Sequence, residues 1–346
     1  MKKHLFIIVL IALSVNYSFA QDIHFSRFYE SPMTLNPAQT GGFDGAHRFY
    51  MNYKDQWKSV AVEPYRTFAF SYDGAYLRKE LNSGHLGVGA HVFTDKAGDL
   101  GMGITQATIN IAYHVKVNDQ NTLSAGIYTS FVQRSISSPD NMMWGSQWDG
   151  VSGFDPNLPS NESLINNNFS YLDVGAGMMW TYKTSESSIA KNDGVIVNFG
   201  GAYFHANEPG LSYYEGSSEK LAGKIVAHGR LFWGIEGTNL GLMPAVSYYK
   251  QGATQEILAG LIARYSLKEE SRYTGFISKA AFGLGGYYRV GDAVVVASQL
   301  EFKDIALGFS YDINVSGLTP ATSGRGGFEV FLRYIIPGPE FGGSLY

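Results

Sequence analysis

Between residues 305 and 313, every second side chain is large and apolar. Ile305, Leu307, Phe309, Tyr311 and Ile313 alternate with the small or polar residues Ala306, Gly308, Ser310 and Asp312. A period of two puts these two sets on opposite faces of a β-strand. A soluble β-sandwich can use such a strand. A membrane barrel needs it, because one face meets lipid and the other faces the lumen.

The same alternation recurs along the chain. We predict fourteen strands, at 46–54, 65–73, 84–95, 104–116, 122–134, 169–182, 194–205, 223–234, 241–249, 254–266, 277–290, 292–302, 304–314 and 327–336. Most are about 10–13 residues long, which is near the length that crosses a bilayer and longer than a typical soluble strand. The sequence therefore predicts an all-β fold, a transmembrane antiparallel β-barrel, rather than a soluble exported sandwich.

Residues 1–20 have the features of a cleavable signal peptide, with Lys2 and Lys3 before a short apolar core and Ala20 at its end. Their removal takes the formal net charge from −4 to −6, because they contain two lysines and no other charged residue. The chain has no cysteine, which excludes disulfides and thiolate chemistry. An export signal followed by membrane-length strands predicts the outer membrane of a Gram-negative cell.

An even number of antiparallel strands places both termini on the periplasmic side. The long connections 135–168 and 206–222 follow odd-numbered strands, so they are expected to face outward. The barrel then covers 46–336, and a periplasmic tail covers 337–346. Two alternatives remain open for residues 21–45, which are either a plug folded back into the lumen or a periplasmic leader.

Charged residues share the polar face of the predicted strands. They are Asp173, Lys224, Arg230, Arg264, Arg289, Glu301, Asp312, Glu329 and Arg333. A charge facing lipid costs up to a few kcal/mol near the midplane. We therefore expect these residues, Arg289 and Asp312 among them, to face the lumen, where they can pair with one another and hold a plug.

The sequence contains no motif for catalysis, for a metal or for a cofactor. No Gly-x-Ser-x-Gly, His-Glu-x-x-His or phosphate loop occurs. His91 and His114 can approach each other on neighbouring strands, although hydrogen-bonded lumen histidines are the commoner arrangement. We predict no enzymatic activity, no cofactor and no bound metal, and the acidic balance gives no reason to expect nucleic acid.

Several short stretches are similar to one family. They are DIHFSRFY (22–29), LNPA (35–38), NYKDQW (52–57), GYYR (286–289) and LGFSYD (307–312). In this order they resemble the PorP/SprF family of the type IX secretion system of Bacteroidota. The resemblance implies a non-enzymatic outer-membrane barrel that supports secretion or surface attachment of large adhesins with C-terminal sorting domains, in gliding motility. It also implies periplasmic or outer-membrane partners from the same machine.

Aromatic residues in the two long connections are candidate contacts for a secreted partner. Trp144 and Trp148 lie in the first connection, and Tyr213 and Tyr214 lie in the second. Exposed aromatic residues tend to dominate protein interfaces. The alternative is that they belong to the aromatic girdle of the barrel or pack one loop on the other.

A second functional class remains open. Asn36-Pro37-Ala38, which we assign to the possible plug, also resembles the plug region of FadL-type transporters of hydrophobic small molecules. An apolar lumen with a side opening would favour transport. A lumen crossed by charged side chains, as predicted here, favours the secretion role.

Overall fold

The computed structural model describes residues 22–58, 63–81, 83–148, 150, 153–161, 166–184, 194–213, 218–268, 280–317 and 319–338. The predicted signal peptide lies outside these residues, as does the predicted C-terminal tail beyond residue 338. In the described part of the chain, no helix is long and apolar enough to cross a membrane.

Fourteen antiparallel strands form one closed barrel. They are β1 (His47–Gln56), β2 (Tyr65–Tyr76), β3 (Gly84–Ala97), β4 (Met102–Lys116), β5 (Asn121–Ile136), β6 (Asn168–Lys183), β7 (Val195–Phe204), β8 (Lys224–Gly234), β9 (Leu240–Gln251), β10 (Thr254–Lys268), β11 (Ala280–Arg289), β12 (Ala293–Phe302), β13 (Ile305–Asn314) and β14 (Arg325–Ile336). Each strand pairs with the next in sequence, and β14 returns to pair with β1 from His47↔Ile336 to Gln56↔Gly327. The predicted barrel and its strand number are confirmed.

Strand β13 has the two faces that its alternation predicts. In β13, Phe309 is 49% exposed on the outer face, whereas Asp312 is 3% exposed and points inward. Similar exposed apolar side chains surround the barrel, including Met178 at 70% and Ile127 at 61%. A soluble protein rarely exposes so continuous an apolar surface, so this band is the surface that meets lipid.

Exposed aromatic side chains cluster at the two ends of the strands. One group is Tyr76, Tyr113, Trp180, Trp233, Tyr265 and Tyr334, and the other is Tyr65, Tyr203, Tyr288 and Tyr311. We call the first end the turn end, because β1 begins and β14 finishes there. We call the other the loop end, because the connections after odd-numbered strands lie there. Such girdles mark the two lipid–water boundaries of a membrane barrel.

Residues 22–45, which we call the interior segment, precede β1 and lie inside the barrel. They form a 3₁₀ turn at Phe28–Glu30, the short helix α1 at Pro32–Leu35 and a second 3₁₀ turn at Pro37–Gln39. A further short helix, α2 (Thr319–Thr322), lies between β13 and β14. Phe28, Tyr29 and Leu35 belong to one buried cluster with inward side chains of the wall, so the core of this molecule is the contact between segment and barrel.

Glycines on the inner face leave room for the interior segment. A Cβ at Gly126 would lie 2.6 Å from the backbone nitrogen of Ala38, and one at Gly177 would overlap the Asn36 side chain. Only glycine allows the backbones to approach so closely.

Candidate functional site

The interior segment runs the height of the lumen. The Asp22 backbone N–H donates to Gln251 Oε1 at 2.9 Å at the loop end, and the Gly41 N–H donates to Asp73 Oδ2 at 2.7 Å at the turn end. The first described residue and the end of β14 therefore lie at opposite ends of the barrel. This differs from the expectation that both termini share one side, because that expectation considered only the strands and not a segment that crosses the lumen.

At the loop end, Asp22 is held by two basic side chains. Its Oδ2 accepts from His205 Nε2 at 2.5 Å and from Lys224 Nζ at 2.9 Å. The other ring nitrogen of His205 lies 2.9 Å from Asp173 Oδ2, which also accepts from the Tyr128 hydroxyl at 2.8 Å. Both nitrogens of His205 thus face carboxylates, an arrangement that suits the doubly protonated ring.

The charges in this cluster shift the pKa values of Asp22 and His205, the two members of the cluster that lie outside the strands. Burial opposes ionisation of Asp22, but Lys224 and His205 outweigh it and hold the pKa of the carboxyl well below its usual range. Burial also disfavours charged His205, but the charge of Asp22 and the hydrogen bond to Asp173 raise the pKa of the ring above its usual value. Each shift stabilises the ion pair that fixes the start of the segment.

A second ionic cluster surrounds Ser26. The Ser26 hydroxyl donates to Asp312 Oδ2 at 2.9 Å and accepts from Arg289 Nη2 at 2.6 Å. Arg289 and Asp312 themselves pair at 3.0 Å. The Ser26 backbone N–H donates to Glu329 at 2.8 Å, and Glu329 pairs with Lys54 at 3.1 Å. The structure therefore brings the predicted lumen residues Arg289 and Asp312 together around the interior segment.

Asn36 ties the middle of the segment to the wall. It is fully buried, and its Nδ2 donates to the carbonyls of Met178 at 3.0 Å and Gly201 at 3.2 Å. The same amide nitrogen lies 3.0 Å from His228 Nε2. Its oxygen accepts from the Ala38 N–H at 2.9 Å and so caps the 3₁₀ turn that Pro37 begins. Asn36 and Pro37 thus act on the same turn, one as cap and one as first residue.

Near the turn end, the segment enters β1 past a buried ion pair. Arg48 Nη2 donates to Asp73 Oδ2 at 2.7 Å and to the Gln39 carbonyl at 3.1 Å. The rings of His85 and His114 stack close by, 4.3 Å apart. His114 has His85 and not His91 as its neighbour, because the register of β3 and β4 places His85 opposite His114. His91 lies 3.2 Å from the Asn110 amide and His114 lies 2.7 Å from the Ser124 hydroxyl, so both are hydrogen-bonded lumen histidines, the arrangement that the sequence favoured. Among the described residues, no group of three or more His, Asp or Glu is arranged to hold a metal.

A cavity of about 350 Å³ lies between the interior segment and the turn end. Gly42 and Phe43 of the segment line one side. Inward side chains of β6 to β9 line another, including Ile196, Arg230 and Phe232. Its lining combines basic and apolar groups, so it could hold a ligand that has an anionic group and an apolar part.

The predicted docking aromatics lie in the loops of the loop end. Trp148 is 56% exposed and forms an isolated bridge with Phe154. Trp144 is half-buried, and its backbone N–H donates to Gln147 Oε1 at 3.1 Å. The half-buried Tyr213 packs edge-on against Phe169 at 4.9 Å between ring centroids. Tyr214 lies outside the described residues, so of these positions Trp148 is the one the structure displays to solvent.

Sequence reasoning did not assign several residues that organise the interior. These residues are Asp22, His205 and His228. The available signals were that His205 is the last residue of the predicted strand 194–205 and that His228 has inward parity. Neither signal identifies a partner, because the partners lie 183 and 192 positions away in the chain.

Together, fold and interior define a class of protein, a fourteen-stranded outer-membrane β-barrel whose N-terminal segment lies in its lumen. The family described as type IX secretion system membrane protein PorP/SprF matches residues 17–334. The chain therefore belongs to the PorP/SprF family. No curated protein sequence matches it.

Three solved structures are similar in shape. The toluene transporter TbuX of Ralstonia pickettii has 12% identity and a TM-score of 0.47, over 91% of this chain and 95% of that one. The P. putida toluene transporter TodX has 10% identity and a TM-score of 0.46, and a Pseudomonas aeruginosa FadL homologue has 11% and 0.46; each comparison covers 86% of this chain and 92% of the other. Likeness at this level carries no argument about what this chain binds.

Proposed function

We propose that this chain is a non-catalytic part of the type IX secretion machine that supports secretion or surface attachment of large adhesins with C-terminal sorting domains. Gliding motility is the process it would serve. The family match and the occupied lumen support this role. The interior segment is fixed at the loop end, the middle and the turn end by buried hydrogen bonds and ion pairs, which suits a docking scaffold better than a channel.

In this proposal the turn end faces the periplasm and the loop end faces the medium. Other secretion components would then meet the turn end, and the secreted partner would meet the loops. Trp148, with Trp144, Tyr213 and Tyr214 around it, would form the contact surface. Met143, which is 66% exposed, lies beside them and adds apolar area. A few exposed aromatics commonly provide most of the binding energy of an interface.

The test is a pair of variants made in the native cell. Trp148→Ala should leave the barrel inserted at normal levels but reduce the adhesin retained at the surface, measured by surface labelling and by co-purification. Trp233→Ala is the matched control, because Trp233 is similarly exposed but lies on the lipid face at the turn end. Unchanged adhesin in the Trp148 variant would show that this surface is not the docking site.

A second candidate function is transport of hydrophobic small molecules. Asn36-Pro37-Ala38 lies in the lumen against the barrel wall, and the cavity beside the segment is partly apolar. Uptake of a labelled hydrophobic compound by cells with and without this chain separates the two functions. A secretion component leaves uptake unchanged and alters adhesin display, whereas a transporter does the reverse.

A further inference from the structure

The cavity at the turn end is strongly basic, although the chain as a whole is acidic. Its lining includes eight basic side chains, Arg48, Arg78, Lys116, Lys183, Arg230, Arg264, Lys303 and Arg333, against the four acidic ones Asp44, Asp119, Glu301 and Asp304. The formal net charge of the whole chain is −4. Basic charge is therefore concentrated where the lumen opens, and such a cleft attracts anions.

Five of these eight cations already have a carboxylate partner. Lys183 pairs with Asp44, Arg264 with Glu301 at 2.8 Å, Arg48 with Asp73 at 2.7 Å, Arg333 with Glu30 at 3.5 Å, and Lys303 with Asp304 at 3.9 Å. Within the described ranges, Arg230 has no carboxylate within 4.0 Å, and its guanidinium lies 5.2 Å from the centre of the Tyr29 ring. A guanidinium beside a cavity, with an aromatic ring and no anion, is a ready site for one.

Arg230 has polar neighbours across the sheet and an apolar neighbour along its own strand. Asn198 is its cross-strand partner on β7 and pairs with Thr181 through a side-chain hydrogen bond of 2.9 Å. Phe232 lies two residues further along β8 on the same inward face. Phe232, Met243 and Tyr29 belong to the buried apolar cluster, and Ile196 packs against it. A cation and two polar side chains thus stand next to a continuous apolar wall.

We propose that this cavity binds an amphipathic anion, a single carboxylate or phosphate joined to a short apolar chain. Arg230 would take the charged group, and Ile196, Phe232 and Met243 would cover the apolar part. The volume of about 350 Å³ fits, since small-molecule sites are roughly 300–1,000 Å³. Gly42 and Phe43 of the interior segment line one side of the cavity, so the bound ligand would contact the segment as well as the wall. This site is independent of the adhesin contact proposed for the loop end.

The test uses the full-length mature barrel in nanodiscs of neutral lipid, with empty nanodiscs as the blank. Calorimetry measures binding of octanoate, octyl phosphate, octanol and a short acidic peptide. We expect octanoate or octyl phosphate to bind, and octanol at least about tenfold more weakly, because a charge-assisted hydrogen bond is lost. The tighter of the two anions shows whether a carboxylate or a phosphate is the natural headgroup.

Two variants locate the site. Arg230→Gln should weaken binding of the preferred anion by about tenfold or more. Lys250→Gln makes the same charge change on an exposed residue near the loop end and should leave binding unaltered. Equal binding to wild type and Arg230→Gln would overturn the proposal. So would octanol binding as tightly as octanoate, no binding of either anion, or binding of the acidic peptide alone, which would assign the cavity to a protein partner.

Discussion

The Asn36 side chain reaches three neighbouring strands. Its amide nitrogen contacts β6, β7 and β8 through Met178, Gly201 and His228. The two hydrogens of this nitrogen are shared among the three acceptors, so His228 Nε2 accepts, and its Nδ1–H is directed at the Tyr29 hydroxyl 2.9 Å away. One buried amide therefore orders a histidine and a tyrosine as well as the turn it caps.

We predict that Asn36→Ala loosens the interior segment without unfolding the barrel. The buried acceptors lose their donor, which costs about 1–3 kcal/mol. Hydrogen exchange followed by mass spectrometry should show faster exchange over residues 32–40 and unchanged exchange in the strands. Thr34→Ala is the control, because the Thr34 hydroxyl donates within the segment, to Ser31. Equal protection in Asn36→Ala and wild type would contradict this role.

The cluster of Asp22 and His205 predicts a dependence on pH. The raised pKa of His205 means that its contribution is full below the ordinary value of 6.5 and is lost as pH rises through the raised pKa. The lowered pKa of Asp22 means that its contribution is full above 3.8 and is lost as pH falls through the lowered pKa. The start of the segment should be held most firmly between about pH 4 and 6.5.

A single introduced cysteine can measure this, since the chain has none of its own. A spin label on Ile23→Cys should be least mobile in that window and more mobile at pH 9. His205→Gln should remove the alkaline part of the change and keep Lys224 as a partner of Asp22. Label mobility that stays constant from pH 4 to 9 would refute the prediction.

At the residue scale, the sequence predicts which face of a strand a side chain occupies better than it predicts which residues that side chain contacts. Parity along the strands predicts the face on which Arg289 and Asp312 lie, because a two-residue period is local information, and both side chains are buried in the structure. That Ser26 lies between them could not be predicted, since Ser26 and Asp312 are 286 positions apart. Distance along the chain also left Asp22 without a predicted partner, because His205 lies 183 positions away.

At the scale of elements, the strands were largely predictable. Predicted and observed ends differ by a few residues, as for 122–134 against Asn121–Ile136, because alternation fades where a strand leaves the membrane. The interior segment has no such period. Its turns begin at Pro32 and Pro37, which signal local breaks but do not say what the breaks pack against. A plug and a leader therefore looked alike in sequence.

One strand offers a matched test of the membrane position. Ile127 and Leu123 lie on the outer face of β5, with Ile127 near its middle and Leu123 near the turn end. Ile127→Arg should cost about 2–4 kcal/mol and Leu123→Arg only about 0–1 kcal/mol, because the penalty falls towards the interface. Folding into bilayers at a series of denaturant concentrations measures the free energy of unfolding of both variants. Equal costs would mean that the strand crosses the bilayer at another depth.

At the scale of the whole molecule, the barrel wall and its contents form one packed unit. The wall contributes Val226, Leu258 and Ile262 to the buried cluster, and the interior segment contributes Phe28 and Leu35. A barrel of this strand number has a lumen wide enough for a channel or a ligand. Here the interior segment and its ion pairs occupy much of that width.

We predict that wild-type barrels conduct ions poorly and that deletion of residues 22–40 produces a large, steady conductance. The deletion removes the segment but leaves every strand intact, so the lumen becomes continuous. Single-channel recording in planar bilayers measures the difference. Trp148→Ala barrels serve as the control and should stay closed. A conducting wild type, or a non-conducting but correctly inserted deletion variant, would show that the segment is not the barrier.

The course of the interior segment through the lumen has a consequence for assembly. A polypeptide segment can enter a closed barrel only through one of its two open ends, whereas an open sheet can close around a segment that already lies against it. The seam between β1 and β14 joins the two most distant strands in sequence and completes the ring. If the sheet curls around the segment, the residues synthesised first are enclosed last, and a slow seam would leave the inner charges in water. The order of events, and not only the final contacts, would then decide whether each barrel holds its segment.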